Sequence, residues 1–395
     1  MSPPATQGVA PALRDGALRW GLLCLVYVIV SALVLNTFME RWELTTDSQG
    51  NGFLGYVNRT AARPWIYRVL TPSLVNAAFE AIPPQARRAL EPLVMERSHL
   101  LKFPRIRNTP AWTPEVAIKY HLTYLFLFTC LITGLFAYRL LTGALFAPPA
   151  AFQDFAPALG LLLLPLTFLH GGYLYDFPEL MFMGLVLVCI VQRRWWLYYP
   201  LFLLAVLNKE ADVLLILFFV AATVQSMPRG RFLAHVAAQC VLGIAVFMVV
   251  HRMYAGRPGN VMQFHLATNL RFLAEPRNYL RVFDVYAPMI PVPRGFNILT
   301  LLFVAALVGH RWREKPPFLR RLFVLSTAAA VPLFLCGGFK DELRNLSLMF
   351  PAIYLMGCHT LHEVYERARP EGAPFDPGSG GQPRSGMGRP GTGRG

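Results

Sequence analysis

Long blocks of apolar residues constrain this chain more than any other feature of its sequence. The first block, Ala17–Phe38, contains a single charged residue, Arg19. A helix needs about 20 apolar residues to cross a bilayer. Only 15% of the chain is charged, against roughly 25% in ordinary soluble domains. We therefore expect an all-α, polytopic membrane protein.

Apolar segments recur along the chain and predict about ten helices that span or partly span the membrane. After the first block they fall at 118–141, 156–170, 179–192, 197–208, 211–226, 232–251, 296–310, 321–336 and 346–363. Several are shorter than the roughly 20 residues of a full crossing, so neighbouring groups or water must satisfy their backbone ends. Because no clear A-x-A site follows the first block, we expect it to be an uncleaved span.

The short basic connections between these segments predict their orientation. They contain Arg193 and Arg194, Arg229 and Arg231, Arg311 through Arg321, and Arg367 and Arg369. Short loops rich in arginine stay in the cytoplasm, so both termini are expected there. The predicted divisions are a cytoplasmic tail at 1–16, a membrane domain at 17–363 and a disordered cytoplasmic tail at 364–395, with 39–115 as a large extracytoplasmic loop of the membrane domain.

The net charge of +15 does not indicate a nucleic-acid-binding protein, because the basic residues mostly lie between apolar segments, as membrane anchors do. The six cysteines are dispersed and form no CxxC pair. Metal-binding motifs, phosphate loops and nucleophile elbows are also missing from the sequence. We therefore expect no metal, no cofactor and no soluble nucleotide donor.

The predicted topology places the acid-rich turns on the side opposite the basic connections. These turns contain Asp47; Tyr175, Asp176 and Glu179; Lys209, Glu210 and Asp212; and Lys340, Asp341, Glu342 and Arg344. One such turn could be an ordinary solvated loop. Four of them at the ends of short helices favour a shared polar cavity at the outer interface. Its acids could pair with the nearby bases, Glu210 with Lys209 or Arg344 in particular, or bind sugar hydroxyls.

The long first loop contributes basic and amphipathic elements. Arg63 and Arg68 flank two aromatic residues, and a guanidinium group can bind a lipid-linked phosphate through two parallel hydrogen bonds, or simply anchor to headgroups. Helices predicted at 72–82, with Thr71 as N-cap, and at 85–101 have one apolar side and should lie on the outer leaflet. Asp47, in a glycine-containing stretch, could serve as a general base.

Several short motifs, in a fixed order and on one predicted side, carry a family resemblance. They are the stretch from Asp47 to Tyr56, RVLTP at 68–72, YDFPEL at 175–180, NKEA at 208–211 and DELRNLSLMFP at 341–351. Over residues 17–363 the chain resembles the GT-C superfamily of integral membrane glycosyltransferases, in particular its poorly characterised bacterial members. It departs from them at Ser48, since many members have paired acids at this point in the first loop.

The resemblance implies a fold with interfacial helices in the first outward loop and an active site at the outer face of the bacterial inner membrane. Asp47 would be the catalytic base for attack by an acceptor hydroxyl on a polyprenyl-phosphate-linked sugar, with inversion. Arg68 and Arg344 would bind the phosphate. The expected substrate-binding residues are Arg63, Arg68, Tyr175, Asp176, Glu179, Lys209, Glu210, Lys340, Glu342 and Arg344. The implied partners are the lipid-linked donor, membrane lipid and a glycan, lipid or protein acceptor.

Two other functions fit the same residues. An envelope polysaccharide polymerase, ligase or assembly protein would use the acidic cavity with a longer lipid-linked chain. A transporter would use intramembrane acids as an ion path. The sequence has no internal repeat of the kind many transporters carry, and its large first loop is an unusual asymmetry for one.

Overall fold

A computed structural model describes residues 9–45, 50–109, 111–164, 171–283 and 292–368. These residues form 15 α-helices and one short strand pair. The helices are α1 Val9–Trp42, α2 Phe53–Val57, α3 Leu70–Ala81, α4 Pro84–Glu96, α5 Pro104–Arg107, α6 Pro114–Phe146, α7 Ala150–Leu162, α8 Asp176–Val191, α9 Trp195–Asn208, α10 Ile216–Thr223, α11 Arg229–Met253, α12 Leu266–Ala274, α13 Ile298–Gly309, α14 Pro317–Gly337 and α15 Phe350–Ala368. Strands β1 Val282–Phe283 and β2 Val292–Pro293 pair antiparallel.

Four helical segments of the described chain are long and apolar enough to cross a membrane. They are Gly16–Thr45, Pro114–Phe146, Arg229–Met253 and Pro317–Gly337. α9 and α13 are apolar but shorter. Four such helices are the pattern of a multi-pass membrane protein, in agreement with the sequence. On α11, large apolar side chains are mostly exposed, as expected where lipid tails are the solvent.

Helix α6 is the central element, and it packs against α8, α1, α7, α3 and α4. Its beginning is fixed by Thr113, whose hydroxyl accepts a hydrogen bond from the backbone of Val116, and by Pro114 at the first helical position. It ends at Phe146, and the next residue, Ala147, adopts a left-handed conformation with φ 44°. The core around α6 is rich in buried tyrosine and phenylalanine.

Side-chain contacts between helix termini identify two opposite ends of the molecule. At one end, Arg321 Nε donates to the carbonyl oxygen of Ala221 at 2.9 Å, which joins the beginning of α14 to the end of α10. Lys315 Nζ donates to Thr360 Oγ1 at 2.6 Å and joins the same region to α15. The beginnings of α9 and α11 lie there too. We call it the arginine end, and the opposite end, where α8 begins and α9 finishes, the tyrosine end.

The predicted apolar segments other than 156–170 fall mainly on helical residues, with differences at their ends. The segment 156–170 corresponds to α7, which ends at Leu162, and residues 165–170 lie outside the described residues. The N-cap prediction for Thr71 was wrong: α3 begins at Leu70, two residues before the predicted start, and Thr71 is buried in its first turn. The predicted helix 85–101 divides into α4 and a 3₁₀ turn at His99–Lys102. Neither α12 nor the strand pair was predicted.

Candidate functional site

A pair of stacked tyrosines lies at the centre of the tyrosine end. The rings of Tyr173 and Tyr175 are 5.3 Å apart and nearly parallel, at 5°. They belong to the turn that leads into α8, where Asp176 Oδ2 accepts a hydrogen bond from the backbone N–H of Tyr173 at 2.8 Å. A carboxylate in the first turn also interacts favourably with the helix dipole. A Cβ atom at Gly171 would lie 2.7 Å from Glu342 Oε1, so glycine allows this turn to approach the 342–344 region.

Arg68 packs on one member of the pair. Its guanidinium carbon lies 4.2 Å from the ring centroid of Tyr175, and Nη1 donates to the hydroxyl of the same tyrosine at 2.5 Å. Nη2 lies 3.4 Å from Glu210 Oε1. Burial opposes the charge of Arg68, but the Glu210 carboxylate and the neighbouring tyrosines outweigh burial and raise the pKa of the guanidinium above its usual value.

Arg344 occupies the corresponding position on the other tyrosine. Its guanidinium carbon lies 4.4 Å from the ring centroid of Tyr173. Nη1 is 3.4 Å from Asp176 Oδ1 and Nη2 is 3.2 Å from Glu342 Oε2. Glu342 also accepts from Asn345 Nδ2 at 2.6 Å. The tyrosine end therefore holds two largely buried arginines, each stacked on a ring and each facing carboxylates.

A buried ion pair between Lys209 and Glu179 lies next to the turn that carries the two tyrosines. Lys209 Nζ lies 2.8 Å from both carboxylate oxygens of Glu179, and Ser347 Oγ donates to Glu179 Oε1 at 2.6 Å. Glu179 is 3% exposed and Lys209 is 8% exposed. Asn208 Nδ2 donates to the carbonyl oxygen of Tyr175 at 3.0 Å. The end of α9 is thus tied directly to the turn that carries the tyrosine pair.

The predicted partners of Glu210 were wrong. Lys209 is in an extended conformation at the end of α9, with φ −153° and ψ 126°. Successive side chains of extended backbone point to opposite sides, so Lys209 reaches inward to Glu179 while Glu210 reaches Arg68. Arg344 pairs instead with Asp176 and Glu342.

Five buried polar atoms of the site have no hydrogen-bond partner among the described residues: Arg68 Nε, Asn208 Oδ1, Glu210 Oε2, Asp212 Oδ2 and Arg344 Nε. Buried polar groups in folded proteins are nearly always paired. Because donors and acceptors of both charge signs remain unpaired in one cluster, the site is suited to a polar, partly anionic ligand.

Most of the predicted substrate-binding residues meet at the tyrosine end, and two do not. Those that meet are Arg68, Tyr175, Asp176, Glu179, Lys209, Glu210, Glu342 and Arg344. Lys340 is exposed beside the ring of Phe339. Arg63 is joined through its backbone to Pro258, and in the described chain none of its side-chain hydrogen bonds or ion pairs reaches this cluster.

The predicted base, Asp47, lies outside the described residues, but the residues on either side of 46–49 are well tethered. Thr45 Oγ1 donates to the carbonyl oxygen of Asn51 at 3.3 Å, and Asn51 Nδ2 donates to the Tyr173 hydroxyl at 3.0 Å. Glu43, Leu44 and Thr45 have φ values of 45°, 52° and 52°. Such left-handed conformations cost roughly 1–2 kcal/mol for each non-glycine residue. Strain of this kind is typical of functional segments.

A cavity of about 150 Å³ leads from the site to the apolar surface of α11. Its lining includes Glu210, Tyr67 and His251, and the other lining residues are Val206, Val213, Gly243, Ile244, Val246, Phe247 and Val250. The His251 ring stacks on Tyr67 with centroids 3.9 Å apart. A Cβ atom at Gly243 would lie 2.5 Å from Val213 Cγ2, so this glycine allows close packing beside the cavity. The carboxylate of Glu210 is therefore connected to an apolar, membrane-facing groove.

Tyr173, Asn51, Asn345 and Ser347 were not recognised from the sequence. Tyr173 had one usable signal, since it lies two residues before Tyr175 next to two glycines. Comparison of the chain with protein-family models, curated proteins and solved structures gives no match.

Proposed function

We propose that this protein is a membrane glycosyltransferase of the GT-C type, which transfers a sugar from a polyprenyl-phosphate donor to an envelope acceptor at the outer face of the bacterial inner membrane. The observation that carries the proposal is the pair of tyrosine-stacked arginines, one of which contacts Glu210 in the lining of an apolar, membrane-facing cavity. A lipid-linked sugar phosphate needs these elements together: an apolar path for the chain, cations for the phosphate and carboxylates for sugar hydroxyls.

Arg68 and Arg344 are the proposed phosphate ligands. Their planar guanidinium groups are held by the rings of Tyr175 and Tyr173, so little side-chain freedom remains to be lost on binding. The contact between Arg68 and Glu210 is long, at 3.4 Å, so a phosphate oxygen can compete for this guanidinium. The hydroxyl-binding role falls to Asp176, Glu210 and Glu342, which surround the arginines.

In the proposed reaction Asp47 takes the proton of the acceptor hydroxyl as its oxygen bonds to the anomeric carbon. The bond between that carbon and the phosphate oxygen breaks, and polyprenyl phosphate leaves with the electron pair. The two arginines stabilise the negative charge that develops on the leaving phosphate. Attack from the face opposite the phosphate inverts the anomeric configuration. Lys209 and Glu179 are assigned a scaffolding role because they bind each other and Ser347.

Polyprenyl phosphate, the product shared by all such donors, provides a test that does not require the sugar to be known. Binding to the purified protein in lipid nanodiscs can be measured by the shift of the thermal unfolding midpoint. We expect Arg68→Gln and Arg344→Gln to weaken binding at least about tenfold, since charge-assisted contacts are worth roughly 1.5–3 kcal/mol. Lys340→Gln, which removes one exposed positive charge from the same end, should bind like the wild type.

Transfer itself is tested with a panel of synthetic polyprenyl-phosphate hexoses and pentoses. Asp47→Asn should still bind polyprenyl phosphate but lose at least about a hundredfold in sugar transfer, because it removes the general base. Full activity of Asp47→Asn would remove this residue from the mechanism. If Arg68→Gln and Arg344→Gln bind polyprenyl phosphate like the Lys340→Gln control, the phosphate site lies elsewhere.

A further inference from the structure

A second cavity, of about 260 Å³, lies at the arginine end of the molecule. It is formed where α8 ends, α9 begins, α10 ends and α11 begins, with α14 on one side. The lining residues are Ile190, Val191, Arg193, Trp195, Ala222, Thr223, Ser226, Met227, Pro228, Arg231 and Phe318. None of them belongs to the tyrosine-end site, so this cavity needs its own explanation.

The charged residues that line this second cavity are all basic. Arg193 and Arg231 line the cavity, and no acidic residue is among the described lining residues. Both arginines are exposed, and neither forms a hydrogen bond or ion pair through its side chain with the described part of the chain. Arg321, at the same end, is by contrast held by Ala221 and Gln225. The two lining arginines are therefore available to an anion.

The backbone fixes the position of one of these charges. Arg193 has φ 55°, a left-handed conformation that is uncommon for a residue with a side chain. Its N–H donates to the carbonyl oxygen of Ile190 at 3.1 Å, and the next residue, Arg194, donates to that of Cys189 at 2.8 Å. These bonds close a tight turn between α8 and α9 and hold the Cα atom of Arg193 at the rim of the cavity.

The other lining residues are typical of a site at the interface between membrane and water. Val191, Met227 and Phe318 supply apolar surface, while Thr223 and Ser226 supply hydroxyl groups. Trp195 lines the cavity, and the adjacent Trp196 is 77% exposed. Tryptophan is enriched where a membrane protein crosses the headgroup region, and basic pockets between helices on the cytoplasmic side bind anionic headgroups. A freely soluble anion would gain nothing from the apolar walls.

We propose that this cavity binds the headgroup of an anionic phospholipid, with Arg193 and Arg231 on the phosphate and the acyl chains along the apolar ends of α8, α10 and α14. The proposal is independent of the reaction assigned to the tyrosine end. Its chemistry requires one phosphodiester and a neutral polar headgroup near the hydroxyl groups of Thr223 and Ser226. Phosphatidylglycerol meets both requirements.

The test is native mass spectrometry of the full-length protein in detergent with equal amounts of phosphatidylglycerol and phosphatidylcholine that carry the same acyl chains. We expect the wild type to retain phosphatidylglycerol selectively. Each arginine near an anionic lipid surface contributes about a fivefold effect, so Arg193→Gln with Arg231→Gln should weaken retention roughly 25-fold. Ser226→Trp, which keeps both charges but fills the cavity, should also lose most of the bound lipid.

The matched control is the pair Arg229→Gln and Arg313→Gln, two exposed arginines of the same end that do not line the cavity. It removes the same charge and should retain phosphatidylglycerol within about twofold of the wild type. Equal loss in the control pair and the lining pair would reduce the effect to general surface charge and overturn the proposal. So would wild-type retention in Ser226→Trp, or selective binding of inorganic phosphate with no preference between the two lipids.

Discussion

The two candidate binding sites of this molecule hold their arginines in opposite environments. At the tyrosine end, Arg68 and Arg344 are largely buried, stacked on rings and faced by carboxylates. At the arginine end, Arg193 and Arg231 are exposed and have no ion-pair partner in the described chain. A buried arginine must be paired, because an isolated charge away from water is very costly. Side chains at the tyrosine end therefore have fixed positions, whereas the exposed arginines remain free to meet lipid.

The contrast is not a simple division between acidic and basic ends. Asp154 lies at the arginine end, is 5% exposed, and binds Arg139 Nε at 2.8 Å and Arg19 Nη2 at 2.6 Å. This carboxylate joins α1, α6 and α7. What distinguishes the two binding sites is thus whether their arginines are paired and buried, which predicts where charge removal will be costly.

The largest effect should come from the buried pair of Lys209 and Glu179. Removing one partner of a buried ion pair typically costs about 3–5 kcal/mol, because the other charge is left buried without compensation. We expect Glu179→Gln to destabilise the protein in this range, measured by denaturant unfolding in a fixed detergent. The double variant Glu179→Leu with Lys209→Met should be more stable than Glu179→Gln. If the double variant is instead less stable than Glu179→Gln, the ion pair itself stabilises the fold.

Much of the fold could be predicted from local sequence patterns. Apolar length is sufficient to locate α6 and α11, because a bilayer requires a certain number of apolar residues whatever the neighbours are. The charge pairs could not be located in this way. Glu210 lies 142 residues from Arg68, and Arg344 lies 168 residues from Asp176. Periodicity contains no information on contacts over such separations.

The site was only partly predicted for the same reason. The topology predicts that four acids share one end, because each lies at the beginning or end of an apolar segment. These acids are Asp176, Glu179, Glu210 and Glu342. The stacking of Tyr173 on Tyr175 depends on the turn before α8, and a sequence pattern does not define the backbone of a turn. The direction of Glu210 depends on the extended conformation of Lys209. Both details were therefore seen only in the structure.

We expect a loss of unfolding free energy of intermediate size from Glu210→Gln at the tyrosine end, and a smaller loss from the same change at Glu314 at the arginine end. Glu210→Gln leaves Arg68 without its carboxylate in a site where the arginine side chain is 11% exposed, so we expect a loss of about 1–2 kcal/mol. Glu314→Gln removes an exposed carboxylate that contacts Arg311 at 2.6 Å, and surface pairs are worth below about 1 kcal/mol. Unfolding of both variants under the same conditions gives the comparison. Equal losses would make Glu210 an ordinary solvated residue.

The smallest effect should come from the exposed arginines of the second cavity. In lipid-free detergent, Arg193→Gln with Arg231→Gln should change the free energy of unfolding by less than about 0.5 kcal/mol, since surface substitutions away from packed or paired groups are nearly neutral. With phosphatidylglycerol added, the wild type should gain stability and the variant should not, because only a state that binds a ligand is stabilised by it. Unfolding midpoints with and without the lipid measure both quantities. If the variant loses much unfolding free energy in lipid-free detergent, these two arginines stabilise the fold as the buried charges of the tyrosine end do. The contrast between the two sites would then be wrong.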